Sequence, residues 1–407
     1  MKTQGPSLTI VIPALNEEQA IGGTIERCLA TRDCLREEGG VGQVNIVVVS
    51  DGSTDRTADI ARSHPGVEVI VFSENRGYGA AIKAGWAKGG GDLLAFLDAD
   101  GTCDPIYFVA MCREIIDRGQ DIVLGCRMGS DSRMPRIRRA GNRIFAVLLG
   151  LLSRKTVRDT ASGMRVLRRE ALQKLLPLPD GLHFTPAMSA RALMDEEIAI
   201  REIEMRYEER IGRSKLRVLR DGFRFLAVIF SAAAYLKVSR LTVPLMALVA
   251  AAAGMSIFEP VRFFITHGRL EEWMLYRVAF AGMLGTIGVT LLCATIVSEH
   301  VSALALMRYG RFTPRTRGLW RYETLGILMS VALGLWIVAV GLNLRGVREL
   351  LTSGHVTLHW SRVLVGAYFS INFAQLLATF CTLKIIRALH QRQPFLESDA
   401  RQTRIEQ

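Results

Sequence analysis

The sequence lacks paired cysteines, clustered histidines and, over its first residues, the pattern of a signal peptide. Its seven cysteines stand apart, without a CxxC pair or regular spacing, which predicts a reducing compartment and disfavours a zinc site or a disulfide scaffold. The seven histidines are scattered and indicate no histidine-centred catalytic group. Residues 1–7 hold no apolar run behind a basic start, so we expect no cleaved signal peptide and a cytosolic N-terminal half.

Acidic residues are too few to balance the basic ones. Lys and Arg number 51 against 39 Asp and Glu, a formal net charge of +12. Such an excess suits nucleic acid, an anionic membrane surface or phosphate-bearing substrates. Much of it lies in 127–169, 210–224 and 308–321, and the last two blocks border apolar segments. We therefore expect a membrane surface and phosphate, and no nucleic acid.

What the chain does have is long apolar stretches, and its mean hydropathy is +0.22. Four uncharged stretches, 241–258, 278–297, 325–344 and 363–383, are long enough to cross a bilayer. Buried helices of a large soluble core are the alternative, which four such helices in succession disfavour. Five arginines between the second and third stretches place that loop and both termini in the cytosol. We expect a multi-pass protein of the bacterial inner membrane or an equivalent membrane.

The segment before the first stretch has a helical pattern. Leu216, Leu219, Phe223, Leu226 and Phe230 recur at helical spacing, and arginines occupy another part of the surface. This predicts an amphipathic helix over 216–238 lying at the membrane interface. The alternative is a helix packed against the N-terminal half.

The N-terminal half alternates short apolar runs with helical patterns. The runs are 8–12, 44–49, 67–72, 93–97 and 122–124, and the helical patterns include 17–29, 54–63 and 79–87. Runs that are apolar on both faces predict an α/β fold with a mostly parallel sheet covered on both sides. Ligands of such sheets bind beyond the carboxyl ends of the strands.

Acidic residues follow three of these runs: Glu17 and Glu18 the first, Asp51 the second, and Asp98 and Asp100 the fourth. Asp51 begins a string that could also be a turn with a helix N-cap. Asp98 and Asp100 form a DxD pair directly after a buried run, a charge cluster that calls for a cation such as Mg²⁺ or Mn²⁺. The GxG of Gly77 and Gly79 is a weak dinucleotide signal, and we interpret it as a tight turn.

Seven short elements extend this pattern. They are 11–18 (VIPALNEE), 50–55 (SDGSTD), 75–79 (NRGYG), 98–100 (DAD), 125–127 (GCR), 159–165 (DTASGMR) and 210–216 (RIGRSKL). In this order they resemble the family 2 glycosyltransferases of the GT-A fold, in particular the dolichol-phosphate mannose synthase-like enzymes that glycosylate polyprenyl phosphates. The resemblance implies a Rossmann-like GT-A domain followed by an all-α transmembrane domain of four helices.

The resemblance also implies roles for individual residues. It implies that Asp51 accepts a hydrogen bond from the base, and that Asp98 and Asp100 hold the metal, Mg²⁺ or Mn²⁺, and the donor diphosphate. The implied catalytic residues are Asp98, Asp100 and Arg127. The implied nucleotide-sugar contacts are Pro13, Leu15, Glu17, Asp51, Asp98 and Asp100, and the implied donor or acceptor phosphate contacts are Arg127, Arg139, Ser162, Arg210, Ser214 and Lys215.

The acceptor can be approached from its chemistry. A lipid phosphate is mostly ionised at neutral pH, so it needs cationic positioning more than a base. We expect inverting transfer of one sugar from a UDP- or GDP-sugar to dolichyl or undecaprenyl phosphate on the cytosolic membrane face. One alternative is transfer to a hydroxyl-bearing lipid or a polysaccharide, and another is a non-enzymatic nucleotide-sugar sensor with a membrane domain. The sequence also leaves open whether the protein forms a homo-oligomer.

These expectations divide the chain into four parts. Residues 1–215 form the catalytic domain and 216–238 the juxtamembrane helix. Residues 239–386 form the transmembrane domain, and 387–407 a cytosolic tail.

Overall fold

The computed structural model describes residues 5–153, 155–212, 215, 218–307 and 322–405. The chain divides into two compact units, Met1–Leu236 and Lys237–Gln407. Of the predicted site residues, Ser214 lies outside the described residues. So do Leu216 of the amphipathic pattern and the five arginines of the 308–321 loop.

The first unit is built on a seven-stranded sheet. Six of the seven strands run parallel, and β6 is antiparallel to both of its neighbours, β4 and β5. The mostly parallel α/β fold is therefore confirmed. In chain order the strands are β1 Leu8–Ala14, β2 Val44–Asp51, β3 Glu68–Phe72, β4 Leu93–Leu97, β5 Ile122–Cys126, β6 Met164–Arg168 and β7 Ile200–Glu204, and their order in the sheet is β3-β2-β1-β4-β6-β5-β7.

Two strands were missed because charged residues interrupt their apolar pattern. In β6 the guanidinium of Arg165 is fully buried, and it donates to the carbonyl oxygens of Ser162 (3.1 Å) and Thr160 (2.9 Å). The edge strand β7 carries three charged residues in five. Neither run has the continuous apolar character by which the other five strands were predicted.

Helices cover both faces of this sheet. Alternate residues of one strand, such as Ile10 and Val11, enter different core clusters. Ile10 packs with the first of these, which includes Phe108, and Val11 with the second, which includes Trp86 and Phe184. The helices are α1 Ile21–Ala30, α2 Arg32–Glu37, α3 Thr57–Arg62, α4 Tyr78–Gly89, α5 Tyr107–Arg118, α6 Arg136–Ser153, α7 Arg169–Leu175, α8 Phe184–Met194 and α9 Val218–Leu236.

Helix α9 corresponds to the predicted amphipathic helix and has two apolar faces. One face, with Phe225 and Ile229, is buried within the unit, and the Phe225 ring lies 5.8 Å from that of Phe145 on α6. The other face exposes Phe223 and Phe230, residues of the predicted interfacial stripe. The helix therefore combines features of both interpretations, since it packs through one face and exposes apolar side chains on the other.

Helix α6 also leaves an apolar stripe uncovered, which the sequence analysis did not predict. Ile137, Ile144, Val147 and Leu151 are between 59% and 72% exposed and recur at helical spacing. The same helix carries Asn142 on its buried side.

The second unit consists of long helices. They are α10 Val238–His267, α11 Leu275–Met307, α12 Tyr322–Ser353 and α13 Trp360–Ile405. Each contains one predicted span, and all four are long and apolar enough to cross a membrane. Polar side chains link neighbouring helices: Thr295 of α11 donates to Thr242 of α10 at 2.8 Å, and Gln375 of α13 to Thr290 of α11 at 3.0 Å.

Candidate active site

The candidate active site lies at the carboxyl ends of three neighbouring strands. Strands β2, β1 and β4 are adjacent and parallel, so their carboxyl ends lie side by side at the same end of the sheet, which is called the carboxyl edge below. Pro13 lies within β1, and Leu15 and Glu17 follow it. Asp51 is the last residue of β2. Asp98 and Asp100 follow β4, so this edge gathers the predicted nucleotide-sugar residues.

Asp51 holds the turn that begins α4. Its Oδ1 accepts the backbone N–H of Arg76 at 2.7 Å, and its Oδ2 accepts that of Gly77 at 2.9 Å. Gly77 has φ +107°, and a Cβ there would lie 2.5 Å from the carbonyl oxygen of Asp180. A glycine is therefore needed at this position. The predicted contact of Asp51 with a base would use its remaining lone pairs, and stays a prediction.

Asp98 is enclosed by two elements. The hydroxyl of Tyr78, the first residue of α4, donates to Oδ1 at 2.6 Å. On the other side, a Cβ on Gly163 would lie 1.7 Å from Oδ2. Burial, reinforced by the charge of Asp100, raises the pKa of Asp98 to about 7. This environment disfavours the carboxylate unless a cation offsets its charge.

Asp100 is buried and has a basic partner from the end of the domain. Its Oδ1 accepts the hydroxyl of Thr102 at 2.6 Å, and its Oδ2 accepts Nη1 of Arg210 at 2.8 Å. The Nη2 of Arg210 donates to Glu17, which also forms an ion pair of 2.6 Å with Lys215. Four predicted residues, two acidic and two basic, thus form one cluster.

Hard oxygen ligands suit a magnesium or manganese ion. Among the described residues, no group of three or more Asp, Glu, His or Cys side chains is arranged to hold a metal. Mg²⁺ at phosphate sites is commonly bound by one or two carboxylates, with substrate phosphates and water completing its shell. The pair Asp98 and Asp100 fits such an ion, and the assignment of these residues to it stays a prediction.

A second ion pair fixes Arg127 at the end of β5. Asp159 is fully buried and accepts Nε (2.7 Å) and Nη2 (2.9 Å) of Arg127, as well as its backbone N–H (3.0 Å). Asn142 of α6 donates to the same carboxylate at 2.9 Å. Burial alone would raise the pKa of Asp159, but the charge and hydrogen bonds of Arg127 hold it below its usual range. Sequence reasoning had included Asp159 in a motif without giving it this role.

The remaining predicted phosphate residues have local contacts. Arg139 donates through Nη2 to the carbonyl oxygen of Gly129 at 2.8 Å. The hydroxyl of Ser162 is fully buried and closes a turn with the backbone of Met164. Their contact with phosphate stays a prediction.

Asn142, Tyr78 and Thr102 were not found from the sequence. Asn142 and Tyr78 act on carboxylates 17 and 20 residues away, which only the fold brings close. Thr102 did have a local signal, because a Thr two residues after an Asp commonly bonds its carboxylate.

Comparisons with known proteins give a family match and several relatives. Residues 9–176 match the family described as "Glycosyl transferase family 2". The chain is 36% identical over 215 residues to a dolichyl-phosphate hexose transferase of Haloferax volcanii, covering 51% of this chain and 86% of that protein. It is 30% identical over 216 residues to an undecaprenyl-phosphate 4-deoxy-4-formamido-L-arabinose transferase of Edwardsiella ictaluri, covering 51% of this chain and 64% of that protein.

Among solved structures, it is similar to glucosyl-3-phosphoglycerate synthase from Mycobacterium tuberculosis in complex with Mn²⁺, uridine diphosphate and phosphoglyceric acid. The TM-score is 0.46 at 21% identity, covering 56% of this chain and 78% of that one.

Proposed function

Because the chain belongs to glycosyl transferase family 2, we propose that it transfers one sugar from a nucleotide-diphosphate sugar to a polyprenyl phosphate at the cytosolic membrane face. Two relatives support this acceptor, since their names give dolichyl phosphate and undecaprenyl phosphate. The donor would bind at the carboxyl edge, where β2, β1 and β4 end. The nucleotide that carries the donor sugar is UDP or GDP.

The observation that carries the acceptor is the two-sided helix α6. Its buried side presents Asn142 to Asp159, which fixes Arg127, while its other side exposes the apolar stripe of Ile137, Ile144, Val147 and Leu151. A basic helix with such a stripe suits the boundary between lipid head groups and acyl chains. A phosphate carried by a lipid would therefore arrive beside Arg127 and Arg139.

The residues divide the chemistry between them. Asp51 would orient the nucleoside, and Asp98 and Asp100 would hold a divalent ion and the donor diphosphate. That ion would act as a Lewis acid that offsets charge on the departing diphosphate. Arg127 and Arg139 would position the acceptor phosphate. A phosphate oxygen then forms a bond to the anomeric carbon while the bond to the nucleoside diphosphate breaks, which inverts the configuration.

The reaction can be tested with the full chain in lipid nanodiscs. Protein is supplied with Mn²⁺, undecaprenyl or dolichyl phosphate and a panel of UDP- and GDP-sugars, and the lipid fraction is read by mass spectrometry. We expect one donor to give a lipid-phosphate sugar, with no product from Asp100→Asn and normal product from the exposed control Asp131→Asn. Product on a hydroxyl lipid instead would contradict the proposal.

A second experiment tests the role of α6. Val147→Asp should lower transfer to a long-chain lipid phosphate in nanodiscs and leave transfer to a water-soluble short-chain phosphate unchanged. Val71→Asp, at an exposed valine of strand β3, is the matched control and should affect neither acceptor. An equal loss on both acceptors would show that α6 does not deliver the lipid.

A further inference from the structure

The side chain of Arg210 lies between two carboxylates that are assigned to the proposed donor site. Nη1 contacts Asp100 at 2.8 Å and Nη2 contacts Glu17. Asp100 and Glu17 are more than nine-tenths buried, so neither charge is well solvated. In the absence of an ion, Arg210 is the cation that offsets the charge of Asp100.

The guanidinium is incompletely satisfied in this position. Its Nε is buried and has no hydrogen-bond partner among the described residues. Arg127 shows the contrast, because its Nε and Nη2 both donate to one carboxylate. A buried N–H without an acceptor costs free energy, which makes this position of the Arg210 side chain less stable.

The backbone around Arg210 is held by hydrogen bonds that do not involve its side chain. Glu208 donates its N–H to the carbonyl oxygen of Thr102 at 2.9 Å, and Ile211 donates to that of Asp100 at 3.1 Å. These two bonds attach the chain on both sides of Arg210 to the loop that carries Asp100. A rotation of the side chain alone would release Asp100, without opening of the segment.

We propose that Arg210 is a built-in counter-ion of the metal site, which a divalent ion must displace from Asp100 in order to bind. This rests on the proposed function, which supplies the ion. The released guanidinium keeps its place beside the site and can pair with donor phosphates, for which its planar fork is suited. Binding of the ion and the readiness of Arg210 for the donor are thereby coupled.

The coupling predicts an unusual result: removing the positive charge of Arg210 from the site should improve ion binding. Without nucleotide or acceptor, Arg210→Gln should bind Mn²⁺ at least about threefold more tightly than wild type, because a competing cation beside the ligand is gone. Mn²⁺ binding is measured by electron paramagnetic resonance of the free ion, and by calorimetry. The same variant should lose transfer activity.

Lys215→Gln is the matched control, because it removes the same charge from the same segment but contacts Glu17 and not Asp100. Its Mn²⁺ affinity should change clearly less than that of Arg210→Gln. Asp100→Asn should lose the binding altogether. Unchanged or weaker Mn²⁺ binding in Arg210→Gln would overturn the proposal, as would an equal gain in Lys215→Gln.

If Arg210→Gln does not fold, Arg210→Lys decides. Lysine keeps the charge but cannot bridge both carboxylates with a planar fork, so a tighter affinity than wild type supports displacement and an equal or weaker one contradicts it. Since Mn²⁺ is measured without substrates, the result is independent of the acceptor. Failure of lipid-phosphate transfer in nanodiscs would leave it standing.

Discussion

Two arginines of the site, Arg127 and Arg210, differ in how they are held. Arg127 forms a two-point contact with the fully buried Asp159, which Asn142 also supports. Arg210 makes one contact with each of two carboxylates and leaves a buried Nε without a partner in the described part of the chain. The first arrangement is suited to remain in place, and the second to exchange partners. The predictions below test this difference.

The largest effect is expected from Asp159→Ala. It leaves the guanidinium of Arg127 buried without its partner, which should lower the free energy of unfolding by about 3–5 kcal/mol. Thermal unfolding of the first unit, followed in the full chain, measures it. The exposed pair of Arg158 and Glu204 provides the control, because Glu204→Gln should cost no more than about 1 kcal/mol. Equal losses would show that the buried ion pair of Arg127 contributes no more to stability than the exposed pair does.

Replacing each arginine by lysine should separate the two sites. Arg127→Lys loses the two-point contact with a buried carboxylate and should destabilise the fold by about 1–3 kcal/mol. Arg210→Lys keeps a positive charge between the two carboxylates, at a position where the arginine side chain is 23% exposed, and should cost less than Arg127→Lys. Unfolding midpoints of both variants, compared on one preparation, measure the difference. A larger loss in Arg210→Lys would reverse the assignment of fixed and exchangeable roles.

An effect on stability comparable to that of Arg127→Lys is expected from Asn142→Ala. The substitution removes the hydrogen bond to Asp159 and the bonds that Thr160 donates to the Asn142 side chain, which should cost about 1–3 kcal/mol. Because Asn142 acts through Arg127, kcat should fall more than the donor KM changes. Steady-state kinetics with varied donor measure this. A change in donor KM alone would place Asn142 on the nucleotide side.

The smallest effect is expected from a change of pH near the physiological range, which should leave the contribution of the Asp159 ion pair to stability unchanged. Since the pKa of Asp159 is lower in the folded chain than in the unfolded one, its ion pair contributes stability above the unfolded pKa of about 3.9 and loses it as pH falls through the folded value. The gap in unfolding midpoint between wild type and Asp159→Asn should therefore stay constant from pH 8 to about 5 and narrow below about 4. A gap that narrows near pH 7 would contradict this.

The parts predicted from sequence were those with local signals. Five strands and four long helices follow from runs of apolar residues, and all were found at those places. The acidic residues were placed at one edge because parallel strands end together. Strand β6 was missed because its buried Arg165 looks, in sequence, like a surface residue.

The sequence by itself determined the fold class and the four apolar helices, and it singled out acidic and basic residues, such as Asp100 and Arg210, that the fold brings into contact. These depend on hydrophobic periodicity and on motifs, which are properties of neighbouring residues. Only the tertiary structure decided the partners: Asp159 with Arg127, Tyr78 with Asp98, and Arg210 with Asp100 from 110 residues away. The physical reason is that burial makes a charge depend on whichever groups the fold brings to it, and separation along the chain carries no information about that contact.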